Sequence, residues 1–97
     1  MSKKHVVKTF EFLTDELVEA TQDRDEYEIE YEFEKARMYF SAEVNLLSNQ
    51  VMRDNQVTIL LEDNGMYRKM AELRTRAKIA WYKWATIKSL IDGNEED

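Results

Sequence analysis

The chain contains no proline and only two glycines, Gly65 and Gly93. Because a sheet of several strands needs frequent turns, and turns draw heavily on these two residue types, their scarcity favours long helices over a sheet. Ninety-seven residues have room for one core, so we expect a single helical domain over residues 1–92, followed by a charged tail at residues 93–97.

The C-terminal third carries the clearest helical pattern. Between Met66 and Ile91, apolar residues recur at steps of three and four, which is the spacing of one helix face. They are Met66, Met70, Leu73, Ala77, Ala80, Trp84, Ile87 and Ile91. We predict a helix over these residues, with Gly93 ending it as a left-handed cap.

A second helical pattern occupies the middle of the chain. Its apolar residues are Ile29, Phe33, Ala36, Phe40, Val44, Leu47 and Val51. Residues 26–34 also alternate strictly between acidic and apolar side chains, as a half-buried strand would. The helical pattern is the longer of the two, so it favours a helix whose buried face is this stripe.

The remaining segments are less regular. The sequence leaves residues 48–65 unassigned except for Asp63-Asn64-Gly65, which predicts a helix end or tight turn. Residues 6–13 form a short apolar segment for which an extended conformation is one option. Thr14, followed by two acids, predicts the N-cap of a short helix that ends near Thr21.

These elements predict an all-α fold, a long antiparallel helical hairpin with a short N-terminal segment packed on it. An α+β fold with a small N-terminal β-hairpin is the alternative. Two long helices that bury one stripe each leave their other sides wet, so something further must cover them. Ile79 and Tyr82 point away from the predicted seam, and we expect a homo-oligomer that uses this outer face.

Charge is segregated along the chain. Residues 23–34 hold seven acids and one base, whereas residues 67–90 hold seven bases and one acid. The acidic row supplies candidate protein-interaction residues, Glu26, Glu28, Glu30, Glu32 and Glu34. The basic helix supplies candidate nucleic-acid-binding residues, Arg68, Lys69, Arg74, Arg76, Lys78 and Lys83.

Three interpretations of this segregation are open. The acidic and basic helices can lie against each other, within the chain or between subunits, where exposed ion pairs set register more than stability. Alternatively, the basic helix with its interleaved aromatic residues can bind single-stranded nucleic acid. In the third interpretation the glutamate row imitates a phosphate backbone and makes the chain an acidic inhibitor of a nucleic-acid-binding protein.

The composition removes most catalytic chemistry. There is no cysteine and a single histidine, His5, so thiolate nucleophiles, thiolate zinc sites and paired-histidine metal sites are excluded. No glycine-rich phosphate loop or nucleophile elbow is present. We therefore expect no enzymatic activity, no cofactor and no metal. With no long apolar run, we also expect no membrane association and a cytoplasmic protein.

The segment Glu34-Lys35-Ala36-Arg37-Met38-Tyr39-Phe40, together with the helical residues from Met70 to Ile91, resembles small helical-hairpin proteins of tailed phages and prophages. Genes for such proteins lie near recombination and single-strand-binding genes. More distantly, the pattern looks like that of phage recombination mediators. The resemblance implies an accessory factor in phage DNA replication or recombination that binds a phage or host protein in the bacterial cytoplasm.

Overall fold

The computed structural model describes the backbone of residues 3–95 and the side chains of residues 3–93. Four helices follow in order, α1 (Lys3–Tyr39), α2 (Ala42–Asn45), α3 (Gln50–Asp63) and α4 (Met66–Glu95). Within residues 3–95 there is no strand. The predicted all-α class is therefore confirmed, and the alternative with a β-hairpin is wrong.

Helix α1 includes the whole N-terminal segment, so the extended conformation considered for residues 6–13 is wrong. Thr14 is not an N-cap, because it lies inside this helix and its hydroxyl donates to the carbonyl of Phe10 at 2.8 Å. A threonine hydroxyl can bond back to the carbonyl four residues earlier, which satisfies it without ending the helix. The pattern typical of a cap was therefore misleading here.

The predicted helix through residues 29–51 is interrupted after Tyr39. The amide groups of Phe40 and Ser41 turn back to carbonyls three residues earlier, and the Ser41 hydroxyl donates to the Met38 carbonyl at 2.6 Å. Ser41 itself is extended, with ψ of 149°. These bonds satisfy the carbonyls that a helix leaves open at its C-terminus, so α1 ends without a glycine.

The two other helix ends follow ordinary capping chemistry. Asn49 is the N-cap of α3, since its side chain accepts from the Met52 amide at 2.9 Å. Asp63-Asn64-Gly65 forms the predicted tight turn, with Gly65 at a φ of 80°. Gly93 is not a left-handed cap, because α4 continues to Glu95. A single glycine costs a helix only about 1 kcal/mol, which does not force an end.

The chain divides into two compact units. Unit 1 contains residues 1–24 and 73–97, and unit 2 contains residues 25–72. The single domain over residues 1–92 and the separate tail stay predictions.

In unit 1, the first part of α1 runs antiparallel to the second part of α4. Their contact is a seam of small residues, Ala20, Ala77 and Ala80, with Leu17 packed against it. Small side chains allow two helices to approach closely, which suits a narrow contact such as this one.

In unit 2, the last part of α1, the short helix α2, helix α3 and the start of α4 share a second core. Its buried side chains are Tyr27, Tyr31, Met38, Val44, Val57, Leu61 and Met70. Helix α2 packs on α3, where Gln56 donates to a Glu43 carboxylate oxygen at 3.0 Å.

The buried face of α4 is the one the sequence predicts. Met70, Ala77 and Ala80 are buried, and the other five residues of that stripe are half-buried. The face predicted for the middle of the chain, in contrast, is largely exposed.

Candidate interaction surface

An apolar stripe at the C-terminal end of α1 faces solvent. Ile29 is 75% exposed, Phe33 is 72% exposed and Phe40 is 86% exposed, and Ala36 between them is exposed too. Ile29, Phe33 and Ala36 lie within about 60° of one another on the helix, and Phe40 follows in the turn directly after it. Large apolar side chains gathered in one exposed row are typical of an interaction site, whereas scattered ones are ordinary.

The opposite face of α1 is buried instead. Tyr27, Tyr31 and Met38 retain only 8%, 6% and 7% of their exposure. The Lys69 ammonium lies 4.4 Å from the centre of the Tyr27 ring, a cation–π contact from the first turn of α4. Burial, reinforced by the charge of Glu30 and by Tyr31, raises the pKa of Tyr27. The prediction of the buried face is therefore wrong, because the buried face of α1 lies about half a turn round the helix from the predicted stripe.

The predicted glutamate row borders the exposed stripe. Glu26 and Glu30 lie on one side of it and Glu32 on the other, and all three are exposed. Glu28 and Glu34 lie further round the helix and are half-buried. We call Ile29, Phe33, Ala36 and Phe40, with Glu26, Glu30 and Glu32, the acidic apolar face.

Glu34 has a local partner. Both of its carboxylate oxygens accept from the guanidinium of Arg37, three residues along the same helix, with the Nε bond at 3.0 Å. This bond lowers the pKa of Glu34 and raises that of Arg37. The charge of Glu34 is therefore balanced within its own helix.

The outer side of α4 in unit 1 carries the other predicted interaction residues. Ile79 is 50% exposed and Tyr82 is 55% exposed, which fits their predicted outward direction. The Tyr82 ring meets the exposed ring of Trp81 edge to face, with the centroids 5.3 Å apart. An open depression beside Tyr82 is lined by Leu13, Tyr82, Lys83, Thr86 and Ile87. Most of its lining is hydrocarbon.

Two of the predicted nucleic-acid-binding residues already have acidic partners on α1. Arg76 donates to a carboxylate oxygen of Asp23 at 2.7 Å and lies 3.7 Å from Glu19. The bond to Asp23 raises the pKa of Arg76. The Lys83 ammonium lies 3.8 Å from Glu16. All these groups are well exposed, so the pairs fix the register of the two helices more than they stabilise the chain.

The other basic candidates do not form one cluster. Arg68 lies 3.8 Å from Glu72 on its own helix, and Lys69 covers Tyr27 in unit 2. Arg74 and Lys78 are exposed on the part of α4 that belongs to unit 1.

Trp84 is held inside unit 1. Its ring lies 5.7 Å from that of Phe10, and its indole nitrogen donates to the Thr14 hydroxyl at 3.0 Å. It is therefore placed for packing, and the rings on α4 that face solvent are those of Tyr67, Trp81 and Tyr82.

Sequence reasoning missed a polar contact that fastens α3 to the end of α1 in unit 2. The Tyr39 hydroxyl donates to Asp54 at 2.5 Å, and Gln50 donates to the same oxygen at 2.6 Å. The bond raises the pKa of Tyr39 and lowers that of Asp54. Residues 15 apart have no recognisable spacing on a helix, so no sequence signal marks this pair.

Neither a metal centre nor a membrane span emerges from the part of the chain that the structure describes. Within residues 3–95, no three His, Asp or Glu side chains converge as metal ligands would. None of the helices in that range has both the length and the apolarity that crossing a bilayer requires.

Comparison with known proteins finds no relative of this chain. No protein-family model matches the chain, and no curated protein or solved structure matches it. The proposed function therefore rests on the acidic apolar face.

Proposed function

We propose that this chain is a non-enzymatic, self-associating helical protein that acts by binding another protein through the acidic apolar face of α1. The observation that carries the proposal is the inverted burial of this helix. Unit 2 buries two tyrosines and a methionine, while Ile29, Phe33 and Phe40 stay in water. Fully burying one such Ile or Phe side chain is worth roughly 1.5–3 kcal/mol, so a partner that covers the row gains substantially.

The shape and charge of the face indicate the kind of partner. Exposed residues at steps of four, three and four along one helix suit a second helix or a helix-sized groove. Rows of carboxylates on both sides select a basic rim and repel acidic surfaces, which contributes specificity more than affinity. We infer a partner surface with an apolar centre and lysine or arginine at its border.

The wider biological setting remains the one predicted from sequence. The resemblance to phage helical-hairpin proteins supports an accessory role in phage DNA replication or recombination, in the cytoplasm of a bacterial host. A basic protein of phage or host origin fits the acidic border of the face. The inhibitor hypothesis is a special case of the same binding mode, in which the basic partner is a nucleic-acid-binding protein.

The test compares two phenylalanines with matched exposure on the same helix. Phe33 is 72% exposed and lies in the face, whereas Phe12 is 68% exposed and lies in unit 1. Immobilised wild-type chain, Phe33→Ala and Phe12→Ala are incubated with bacterial lysate, and the captured proteins are quantified by mass spectrometry. We expect a basic protein that wild type and Phe12→Ala retain and Phe33→Ala loses. Identical capture by all three chains would contradict the proposal.

A second candidate function is binding of single-stranded nucleic acid by α4. It is favoured by the exposed rings of Trp81 and Tyr82 close to Lys78, since such rings can stack on bases. It predicts a fluorescent-oligonucleotide affinity whose logarithm falls with log salt at about 0.7 per phosphate contacted. Lys78→Ala and Trp81→Ala should both weaken it. A labelled single strand that stays unbound at low salt would exclude this function.

A further inference from the structure

The acidic apolar face of α1 has a complementary surface on α4 of the same sequence. Residues 25–40, which include this face, hold six acids and two bases, and residues 73–91 hold five bases and no acid. We propose that the acidic apolar face of one copy docks on the outer side of α4 of a second copy. This proposal rests on the proposed function and identifies the surface through which one copy of the chain binds another.

The receiving surface has an apolar centre of suitable form. The open depression on unit 1 is lined largely by hydrocarbon from Leu13, Tyr82, Thr86 and Ile87. Ile79 lies one turn before Tyr82 on the same side of α4 and is half exposed. We call Ile79, Tyr82 and the depression, with the bordering Lys78 and Lys83, the basic apolar face. An aromatic side chain from another copy, such as Phe33, can fill the depression.

Charges of opposite sign border the two faces. On α4, Lys78 and Lys83 lie about 70° to either side of the line through Ile79 and Tyr82. Lys83 also lies 3.8 Å from Glu16 of its own chain, so a docking glutamate shares it with that residue. On α1, glutamates lie on either side of the apolar stripe in the same way, with Glu30 on one side and Glu32 on the other. When α1 of one copy lies along α4 of a second copy, the apolar centres of the two faces therefore meet, and the bordering carboxylates lie near the bordering ammonium groups. Two copies of either face alone would set like charges together, which is unfavourable.

The size of the contact sets the expected strength. From Ile29 to the end of α1 at Tyr39 the stripe extends over ~15 Å of helix, and Phe40 lies directly beyond it. That is a small contact compared with the ~800 Å² per partner of a standard stable interface. We therefore expect self-association in the micromolar range, weakened by salt because the bordering charges are exposed. Each copy carries both faces, so each face can be engaged by a neighbour.

Because the two faces differ, complementation between variants tests the proposal. Phe33→Asp damages only the acidic apolar face, and Tyr82→Asp damages only the basic apolar face. Sedimentation velocity from 1 to 200 μM should show about tenfold or greater weakening of self-association for each variant alone. An equimolar mixture should regain association, because one intact face of each kind is present. Phe12→Asp, at an exposed position of α1 outside both faces, serves as a control and should associate like wild type.

Each alternative result has a definite meaning. If Tyr82→Asp associates like wild type while Phe33→Asp does not, the acidic apolar face pairs with itself and the docking proposed here is overturned. If the mixture stays monomeric, the complementary pairing is overturned as well. A wild-type chain that is monomeric at 200 μM overturns the docking, whereas lysate capture lost in Phe33→Ala would still support binding to another protein.

The variants should fold, since each replaced side chain is more than half exposed. Circular dichroism confirms the helix content of each one before sedimentation. Phe33→Ala and Tyr82→Ala form a second pair, which removes the apolar contact without adding charge. This pair should show the same complementation, with a smaller loss for each variant alone.

Discussion

Replacing two neighbouring aromatic residues of α1 by alanine tests the direction in which the helix packs. Tyr31 is 6% exposed and Phe33 is 72% exposed, although the apolar pattern of the sequence favours burying Phe33. Tyrosine and phenylalanine have similar helix propensities, so replacement by alanine raises helix propensity by nearly the same amount in both variants. Both residues lie in unit 2, and the comparison therefore isolates burial.

The expected difference follows from the exposed fractions. Truncating a fully buried large aromatic residue costs about 3–5 kcal/mol, because transfer and cavity costs add. Phe33 keeps little more than a quarter of its surface covered, and that share of a side-chain burial worth 1.5–3 kcal/mol is below about 1 kcal/mol. We expect Tyr31→Ala to destabilise the chain by at least ~2 kcal/mol more than Phe33→Ala. In thermal unfolding this corresponds to a difference of about 8–16 °C.

Urea unfolding followed by far-ultraviolet circular dichroism measures both variants. The experiment is run at low micromolar concentration and repeated at a fivefold dilution, because self-association would otherwise add to the stability of chains that keep the acidic apolar face. Equal losses, or a larger loss for Phe33→Ala, would mean that α1 packs through the stripe predicted from sequence. The proposed interaction surface would then be refuted as well.

Three further predictions concern single contacts. Gly65→Ala should cost about 1–2 kcal/mol in urea unfolding, because the φ of 80° strains any residue with a Cβ. Thr14→Val removes the acceptor of the half-buried Trp84 indole and should cost about 0.5–1.5 kcal/mol, with a shift in tryptophan fluorescence. The Tyr39 bond to Asp54 should stabilise the chain below the ordinary tyrosine pKa and be lost as pH rises through the raised pKa of Tyr39. On the acid side the same bond should be lost as pH falls through the lowered pKa of Asp54. Tyr39→Phe should remove one tyrosine titration on the alkaline side of the ordinary tyrosine pKa, followed at 295 nm, and an unchanged titration curve would contradict this assignment.

The sequence predicts α4 well because its apolar stripe is long and regular. Its eight stripe residues all lie on the buried or half-buried side. Lys69 and Lys88 lie at the edges of the stripe, where their ammonium groups cover the rings of Tyr27 and Trp84. The scarcity of glycine and proline likewise predicts the all-helical class. Gly65 is identified because its neighbours Asp63 and Asn64 are residues that favour a helix end.

The buried face of α1 could not be predicted from hydrophobicity alone. Tyr27, Tyr31 and Met38 continue the spacing of Leu17 and Ala20, but Arg24, Glu34 and Lys35 lie on the same side and break the apolar pattern. Long charged side chains can lay their stems along a core edge and keep their heads in water, so such positions look polar in a sequence and are half-buried in the fold. The stripe on the opposite side of α1 is more hydrophobic in the sequence, and for this reason it was wrongly predicted to be the buried face.

The charge pattern predicts opposite signs on two helices but not which residues meet. Glu16 and Glu19 lie outside the acidic segment and still pair with the basic helix, because the antiparallel register of unit 1 places them beside Lys83 and Arg76. Register depends on the whole seam, and a single sequence shows only the composition of each side. For the same reason, the sequence does not predict that the acidic row and the apolar stripe form one exposed face.

The alanine seam of unit 1 also sets how this protein tolerates change. With Ala20 fully buried between Ala77 and Ala80, there is no room for added methylene groups, and overpacking at such a position costs about 1–3 kcal/mol. Glycine leaves the seam uncrowded but lowers helix propensity by about 1 kcal/mol, and serine adds only one oxygen atom. Sequence drift along this seam should therefore be confined to the smallest side chains and exclude valine and leucine.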